Sequence, residues 1–162
     1  MTVKVGDKLP SVELLHSENS VVTPVDIAQR TKGRRVVLFG LPGAYTSICS
    51  SAHLPSFIRT ADAFRAKGVD EIFCVSVNDS RVMEHWDNSA GASEAGITML
   101  ADWDSELTKA LGLEFTVPAA GFKDRMTRCS MLIEDGEVKV LQFEEDHGTC
   151  NLTAGETLLE ML

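Results

Sequence analysis

Short apolar runs alternate with amphipathic stretches along the first half of this chain. Residues 36–39 form an apolar run that ends at the turn-forming sequence Gly-Leu-Pro-Gly, and residues 72–77 are nearly all apolar. Both runs are typical of buried strands. Between residues 54 and 64 apolar side chains recur at helical spacing, which predicts a helix. Pro55 lies inside this helix and is expected to kink it, because proline lacks the N–H group for the hydrogen-bond ladder.

The second half of the chain continues the alternation of strands and helices. The patterns predict helices over residues 82–90, 105–111 and 153–162, a strand over 97–100, and a hairpin of strands 131–133 and 138–143. The pair Asp135-Gly136 supplies the hairpin turn. This order predicts an α/β fold with a mixed central sheet and flanking helices, in a single domain over residues 1–162. No element is predicted before Val36.

The composition is that of an ordinary globular protein. Of the 162 residues, 44% are apolar and 24% are charged, which argues against disordered and low-complexity chains. Fifteen Lys and Arg against 24 Asp and Glu give a net charge of -9, so nucleic acid and anionic membranes are not expected as partners. No stretch is apolar enough for a membrane helix, and the first residues lack the apolar run of a secretory signal. We therefore expect a cytoplasmic location.

Cysteine is the residue type that points to chemistry. The four cysteines are Cys49, Cys74, Cys129 and Cys150, and no two of them form a Cys-x-x-Cys pair. A zinc ribbon and a thioredoxin-type dithiol are therefore not indicated. In a reducing compartment such thiols are either inert or used chemically.

Cys49 lies where α/β proteins place their sites, between the carboxyl end of a strand and the start of a helix. Thr46 or Ser47 is the expected N-cap, which puts Cys49 in the first helical turn. Free N–H groups and the helix dipole stabilise a thiolate there. Cys49 also lies off the apolar stripe of the helix, so it is not required in the core. The alternative is a small hydrophobic residue at a helix start, with no reactivity.

The segment around Cys49 resembles the active site of peroxiredoxins. Pro42, Thr46 and Cys49 form the pattern Pro-x-x-x-Thr-x-x-Cys, and the longer string Pro-Gly-Ala-Tyr-Thr-Ser-Ile-Cys-Ser-Ser-Ala-His-Leu-Pro is similar to the type II, peroxiredoxin-5-like branch. The similarity continues in residues 75–79 and 128–131 and so covers nearly the whole chain. Three positions depart from the family pattern, namely Tyr45, Ser47 and Cys129.

The resemblance implies a thioredoxin-like fold and a thiol-dependent peroxidase that reduces hydrogen peroxide and organic hydroperoxides, without metal, haem or flavin. Cys49 then matches the peroxidatic cysteine, which attacks the peroxide and becomes a sulfenic acid. Arg128 matches the motif arginine, whose fixed charge stabilises the thiolate. Thr46 is expected to accept the peroxide's hydrogen and to donate to the thiolate. Pro42 is expected to shield the sulfur from water.

Other residues near this motif also have candidate roles. The backbone N–H groups of Cys49 and Ala44 are candidates for stabilising developing negative charge. His53 shares a helix face with Cys49 and is a proton relay, a pocket wall or an ordinary hydrogen-bonded histidine. Arg125 is expected to orient Arg128 or to contact an acidic residue. Cys129 is expected to point away from the site, because adjacent strand residues face opposite sides.

A sulfenic acid must be resolved by a second thiol. Cys150 lies in a polar loop before the last helix and resembles the resolving cysteine of atypical two-cysteine members. Cys74 is the rival within the chain, although its place in an apolar strand is typical of an inert core thiol. The third route is an external thiol such as glutathione. Thioredoxin, glutaredoxin and glutathione all fit as the reductant, and the resemblance suggests a homodimer that uses surface near the site.

Three other functions compete with the peroxidase. A redox sensor would use the same chemistry of Cys49 to signal to a partner. A zinc module would take Cys49, His53, His147 and Cys150 as ligands. A purely structural thioredoxin-like domain would make the motif coincidental.

Overall fold

A seven-stranded mixed sheet forms the centre of the structure, a computed structural model that describes residues 1–162. The strands follow the order β2-β1-β5-β4-β3-β8-β9 across the sheet. They span β1 Glu13–Glu18, β2 Val21–Asp26, β3 Arg35–Leu41, β4 Glu71–Ser76, β5 Ile97–Ala101, β8 Cys129–Glu134 and β9 Glu137–Phe143. Strands β3, β4 and β5 are parallel, and the outer pairs are antiparallel. A separate antiparallel hairpin consists of β6 Glu114–Val117 and β7 Phe122–Met126.

Helices flank the sheet and connect its parallel strands. They are α1 Ile27–Thr31, α2 Leu54–Ala66, α3 Ser80–Ala90, α4 Glu106–Ala110 and α5 Gly155–Glu160. None of them is long and apolar enough to cross a membrane. The α/β class and the mixed sheet with flanking helices are therefore confirmed.

The sheet is buried on both faces, which explains the continuous apolar runs. In β3, Val36 and Leu38 belong to one apolar cluster, whereas Val37 and Phe39 belong to the other. Successive strand residues point to opposite faces, so a strand covered on both sides needs apolar residues at every position. The two clusters contain 19 buried residues each, and they cover the two faces of the central strands.

The predicted strands and helices of residues 36–162 are all present, with ends that differ by a few residues. The hairpin turn forms at Asp135 and Gly136, which both have positive φ angles of 49° and 74°. Positive φ at both central residues is the requirement of a type I′ turn, and Asp-Gly is a favoured sequence for it.

Two hairpins and a short helix escape the sequence pattern. Strand β2 lies at the sheet edge, has mostly exposed residues and contains Pro24. Proline is tolerated there because an edge strand leaves half of its N–H groups unpaired. Strands β6 and β7 lie outside the main sheet and are only half-buried, so they lack a clear alternation.

Pro55 does not kink α2 in the expected way. The helical turn before it, Cys49–His53, is a π-helix, and the N–H of Leu54 donates to the carbonyl of Cys49. This wider turn removes the crowding that a proline ring causes against the carbonyl four residues earlier. The irregularity therefore falls on the segment that contains Cys49.

Candidate active site

The loop after β3 and the start of β8 meet at one end of the sheet, and they bring Cys49 and Arg128 together. An N–H of Arg128 (Nη1) donates to the Cys49 sulfur at 3.3 Å. Both side chains are buried, with exposed fractions of 0% for Cys49 and 1% for Arg128. Cys49 packs in an apolar cluster, although its position off the apolar stripe of the helix did not require it there. It lies in the π-helical turn Cys49–His53, where ordinary helical spacing does not apply.

Three acceptors hold the Arg128 guanidinium. Besides the Cys49 sulfur, Nη1 lies 3.2 Å from Nδ1 of His53, and Nη2 donates to the carbonyl of His147 at 3.3 Å. A planar guanidinium with fixed donors is well suited to such a constrained position. Its fixed positive charge lies directly against the Cys49 sulfur in a buried site.

His53 is a neutral acceptor in this arrangement. Its Nε2 donates to the carbonyl of Thr153 at 3.1 Å, which leaves Nδ1 free to accept from Arg128. Burial, together with the nearby guanidinium, lowers the pKa of His53 to about 3. The ring lies edge-on to Phe39 and Phe57. His53 thus positions Arg128 and is not a proton relay at neutral pH.

The depressed pKa of His53 predicts acid destabilisation. Below pH 6.5 the unfolded chain binds a proton at His53, whereas the folded chain does not bind it until about pH 3. Stability from this group is therefore present above pH 6.5 and is lost as the pH falls towards 3, by about 1.4 kcal/mol per pH unit. Urea unfolding of the protein and of His53→Gln between pH 7 and pH 5 measures it, and the variant is expected to show a shallower pH dependence.

His85→Gln is the matched control, because His85 is exposed. The control is expected to keep the pH dependence of the unmodified protein. An unchanged pH dependence in His53→Gln would contradict the assignment of a buried neutral histidine.

Pro42 and Thr46 line the same pocket as Arg128. The Thr46 hydroxyl donates to the carbonyl of Gly43 at 2.8 Å. Its hydrogen is therefore already engaged, and only its lone pairs are available to a ligand. This differs from the expectation that Thr46 also donates to the thiolate. The Ala44 N–H is engaged too, because it donates to Oδ1 of Asn78 at 2.9 Å.

Arg125 supports the loop and not Arg128. Its Nη1 donates to the carbonyl of Pro42 at 2.9 Å, and its guanidinium lies over the Phe122 ring at 5.2 Å. The expectation of a contact with Arg128 or with an acidic residue is not met. A Cβ atom at Gly43 would lie 2.6 Å from Nη1 of Arg125, so a larger residue there would displace this side chain.

A pocket of about 270 Å³ opens onto Pro42, Thr46 and Arg128. Its opposite wall is apolar and comes largely from the β6–β7 hairpin, including Phe115, Val117, Ala120 and Phe122. The His147 ring stacks on Phe115 with ring centres 3.6 Å apart. These aromatic residues have no signal in the sequence, because the β6–β7 hairpin lacks a clear alternation of buried and exposed positions.

A larger surface cleft of about 490 Å³ lies elsewhere, between β1 and α3. Its lining is mostly polar and contains no cysteine. The smaller pocket is therefore the one adjoining the candidate chemistry.

Cys74 and Cys129 are structural thiols. Both are fully buried. Burial raises the pKa of Cys129 to about 12 and raises that of Cys74 well above its ordinary value. Cys129 packs in the cluster on the other face of the sheet from Cys49, as the strand alternation predicts.

Cys150 is half-buried in the loop between β9 and α5, and all four cysteines are free thiols. Its sulfur lies 3.8 Å from the Thr153 hydroxyl oxygen. Burial raises the pKa of Cys150. In this state the thiol is held by its own loop and is not bonded to Cys49.

The ligand set of the zinc alternative is not assembled. No group of three or more His, Cys, Asp or Glu side chains is arranged to hold a metal ion. Both nitrogens of His53 are already engaged, with Arg128 and with the Thr153 carbonyl.

Comparison with known proteins agrees with this geometry. The Redoxin family profile matches residues 4–159. Peroxiredoxin-2E-2, chloroplastic, from Oryza sativa subsp. japonica is 43% identical over 165 residues, which cover 99% of this chain and 73% of the relative.

Two solved structures have the same fold over nearly their whole length. Reduced Prx3 from Vibrio vulnificus, in complex with H2O2, has a TM-score of 0.91 and 38% identity, covering 99% of this chain and 96% of that chain. Peroxiredoxin 5 from Alvinella pompejana has a TM-score of 0.83 and 31% identity, covering 98% and 96%. The thioredoxin-like fold is thereby confirmed. The chain belongs to the Redoxin family and, within it, to the type II peroxiredoxins, and it is a thiol-dependent peroxidase.

Proposed function

We propose that Cys49 is the peroxidatic nucleophile and that Arg128, Thr46 and Pro42 form its pocket. The observation that carries this assignment is the buried 3.3 Å contact between the Arg128 guanidinium and the Cys49 sulfur. The substrate is hydrogen peroxide or an organic hydroperoxide, for which the apolar wall of the pocket offers contact to an organic group. The acting unit is the single domain of residues 1–162, and no metal, haem or flavin takes part.

In the reaction, the Cys49 thiolate attacks the terminal oxygen of the peroxide. The S–O bond forms as the O–O bond breaks, so the sulfur is oxidised by two electrons and the peroxide is reduced to water or an alcohol. The leaving oxygen takes the peroxide's proton, and the product on Cys49 is a sulfenate, which becomes a sulfenic acid by taking one proton from water. Arg128 stabilises the negative charge that spreads over the two oxygens.

Thr46 and Pro42 orient the peroxide. Because the Thr46 hydroxyl donates to Gly43, its free lone pairs accept the hydrogen of the bound peroxide. Pro42 is buried and has no N–H to draw water towards the sulfur. The Cys49 sulfur is itself fully buried. A local movement of the pocket wall must therefore admit the peroxide.

Resolution by Cys150 completes the proposed cycle. The Cys150 thiol attacks the sulfenic sulfur, water leaves, and a Cys49–Cys150 disulfide forms. An external thiol then reduces this disulfide, with thioredoxin, glutaredoxin or glutathione as candidates. Cys74 is a poorer candidate, since it lies in the middle of β4 with no exposed surface.

The test adds one equivalent of hydrogen peroxide to the reduced protein and maps thiols and disulfides by peptide mass spectrometry. We expect a Cys49–Cys150 disulfide. Sulfenic or sulfinic Cys49 with free Cys150 would contradict resolution by Cys150, and an unmodified Cys49 would contradict the peroxidatic assignment. Repeated turnover with a thiol reductase, in place of one oxidation per chain, separates a peroxidase cycle from a redox sensor.

Cys150→Ser is expected to keep peroxide-driven oxidation of Cys49 but to lose the disulfide. Turnover with thioredoxin should fall by at least about tenfold, because a dithiol donor then meets a sulfenic acid instead of a disulfide. Coupled turnover and single-turnover oxidation of Cys49 measure the two effects. Cys74→Ala is the matched control and should retain both steps; loss of turnover in the control alone would assign resolution to Cys74.

We also propose a homodimer that uses surface near the site. Tyr45 next to the pocket is 48% exposed and contacts His85 of α3, so an aromatic side chain is available there. Sedimentation that gives a monomer at working concentration would contradict the dimer.

We also propose a cytoplasmic location for this protein, although the rice relative is named as chloroplastic. Fractionation of the source cells tests it.

A further inference from the structure

One carboxylate fixes the loop that contains Cys150. Oε1 of Glu144 accepts from the backbone N–H of Asn151 at 2.6 Å and from that of Thr153 at 3.1 Å. It also accepts from the Thr153 hydroxyl at 3.1 Å, while Oε2 accepts from the Thr149 hydroxyl at 3.3 Å. Cys150 thus lies between two residues that both bond to the same side chain. The loop conformation depends on this carboxylate.

Glu144 is built into the fold. It follows β9 directly, its backbone N–H donates to the carbonyl of Arg128 at 3.0 Å, and its exposed fraction is 5%. Burial raises its pKa, but the hydrogen bonds from Thr153 and Asn151 outweigh it, so the pKa is lowered overall. An ionised carboxylate accepts stronger hydrogen bonds than a neutral group does.

The same loop forms one wall of the pocket. The His147 ring stacks on Phe115, and the His147 carbonyl accepts from Nη2 of Arg128. Closing the loop therefore completes the pocket and supplies one of the three acceptors that hold the guanidinium. A closed loop suits the oxidation of Cys49.

The closed loop does not suit resolution. The Cys150 sulfur is half-buried against the Thr153 hydroxyl, and its thiol has a raised pKa because of burial. Cys150 is not bonded to Cys49 in this conformation, and a disulfide requires a close and specific approach of the two residues. A movement of Cys150 out of its loop towards Cys49 would break the hydrogen bonds that Asn151 and Thr149 donate to Glu144.

We propose that Glu144 is a positioning residue that holds the Cys150 loop closed during peroxide reduction and sets the cost of opening it for resolution. The inference rests on the proposed roles of Cys49 and Cys150. It predicts that the two steps of the cycle respond to Glu144 in opposite directions.

Glu144→Ala tests this prediction in the full-length protein. The variant leaves the N–H groups of Asn151 and Thr153 without an acceptor in the closed loop, so the closed state is destabilised. After one equivalent of hydrogen peroxide, rapid acid quench and mass spectrometry give the rates of Cys49 oxidation and of disulfide formation. We expect disulfide formation to be about tenfold faster, and Cys49 oxidation to be a few-fold slower because Arg128 loses its His147 partner.

Two further variants distinguish the loss of the hydrogen bonds to Glu144 from a general destabilisation of the protein. Glu144→Gln keeps an acceptor oxygen for both N–H groups and is expected to stay within about threefold of the unmodified protein in both steps. Glu145→Ala removes the neighbouring exposed carboxylate and should change neither step. Disulfide formation that is not accelerated in Glu144→Ala, or both steps slowed together, overturns the proposal.

The outcome in the unmodified protein distinguishes this proposal from the proposed function. If peroxide does not oxidise Cys49, or if no Cys49–Cys150 disulfide forms, the proposed function fails. The anchor is then judged by amide hydrogen exchange of residues 145–151. Faster exchange there in Glu144→Ala than in Glu145→Ala supports the anchor, and equal exchange overturns it.

Discussion

Cys49→Ser is expected to abolish peroxide reduction, with a loss of at least about 10³-fold in the second-order rate constant. A serine hydroxyl stays protonated near neutral pH, and the Arg128 charge does not ionise it. The substitution keeps the shape of the side chain in its buried position. Stopped-flow measurement of peroxide consumption with a thiol reductant gives the rate.

Cys74→Ala is the matched control for this variant. Cys74 is equally buried and belongs to the same apolar cluster, but it contacts no part of the pocket. It should retain full activity with a modest loss of stability from the small cavity. Activity within tenfold of the unmodified protein in Cys49→Ser would contradict the role of Cys49.

Arg128→Gln is expected to lower the rate of Cys49 oxidation by about 10² to 10³-fold, the usual effect of removing one buried donor to a developing negative charge. Glutamine is uncharged, so the thiolate loses its counter-charge and the peroxide oxygens lose a fixed donor. The loss should appear in the second-order rate constant with hydrogen peroxide, measured by stopped flow under single-turnover conditions.

Arg128→Lys separates charge from geometry. A lysine retains the charge but cannot match three separate acceptors with a planar fork, so an intermediate rate is expected. Arg59→Gln is the control, because Arg59 forms an exposed ion pair with Glu156 and does not line the pocket. Thermal unfolding checks that the buried variants fold. A folded Arg128→Gln that oxidises within threefold of the unmodified protein would refute the role of Arg128.

The local part of the site could be predicted because it is contiguous in sequence. Pro42, Thr46 and Cys49 lie in one strand-to-helix connection, where chain direction alone places them at the carboxyl end of β3. The detail within that connection could not be predicted. The Thr46 hydroxyl donates to Gly43, and Cys49 is buried in a π-helical turn; neither feature has a signal in the residue pattern.

The remainder of the site depends on long-range contacts. In the sequence, Glu144 is one of several acidic residues in a loop. Only its burial and the four hydrogen bonds that its carboxylate accepts distinguish it from Glu145. Phe115 and Phe122 belong to a hairpin with a weak alternation, so their contribution to the pocket had no signal in the pattern.

The amino-acid sequence by itself determined the class of fold, the order of the main-sheet strands and their helices after Val36, and the residue that we propose as the nucleophile. Each of these depends on local hydrophobic periodicity or on a short motif, and both are formed by residues that lie close together in the sequence. The tertiary structure decided the rest. Arg128 contacts Cys49, 79 residues earlier in the chain, because β8 pairs with β3. The hydrophobic pattern of either strand alone does not indicate which strand it pairs with. Burial then follows from that pairing, and burial is what makes His53 neutral, Cys129 inert and Glu144 an anchor.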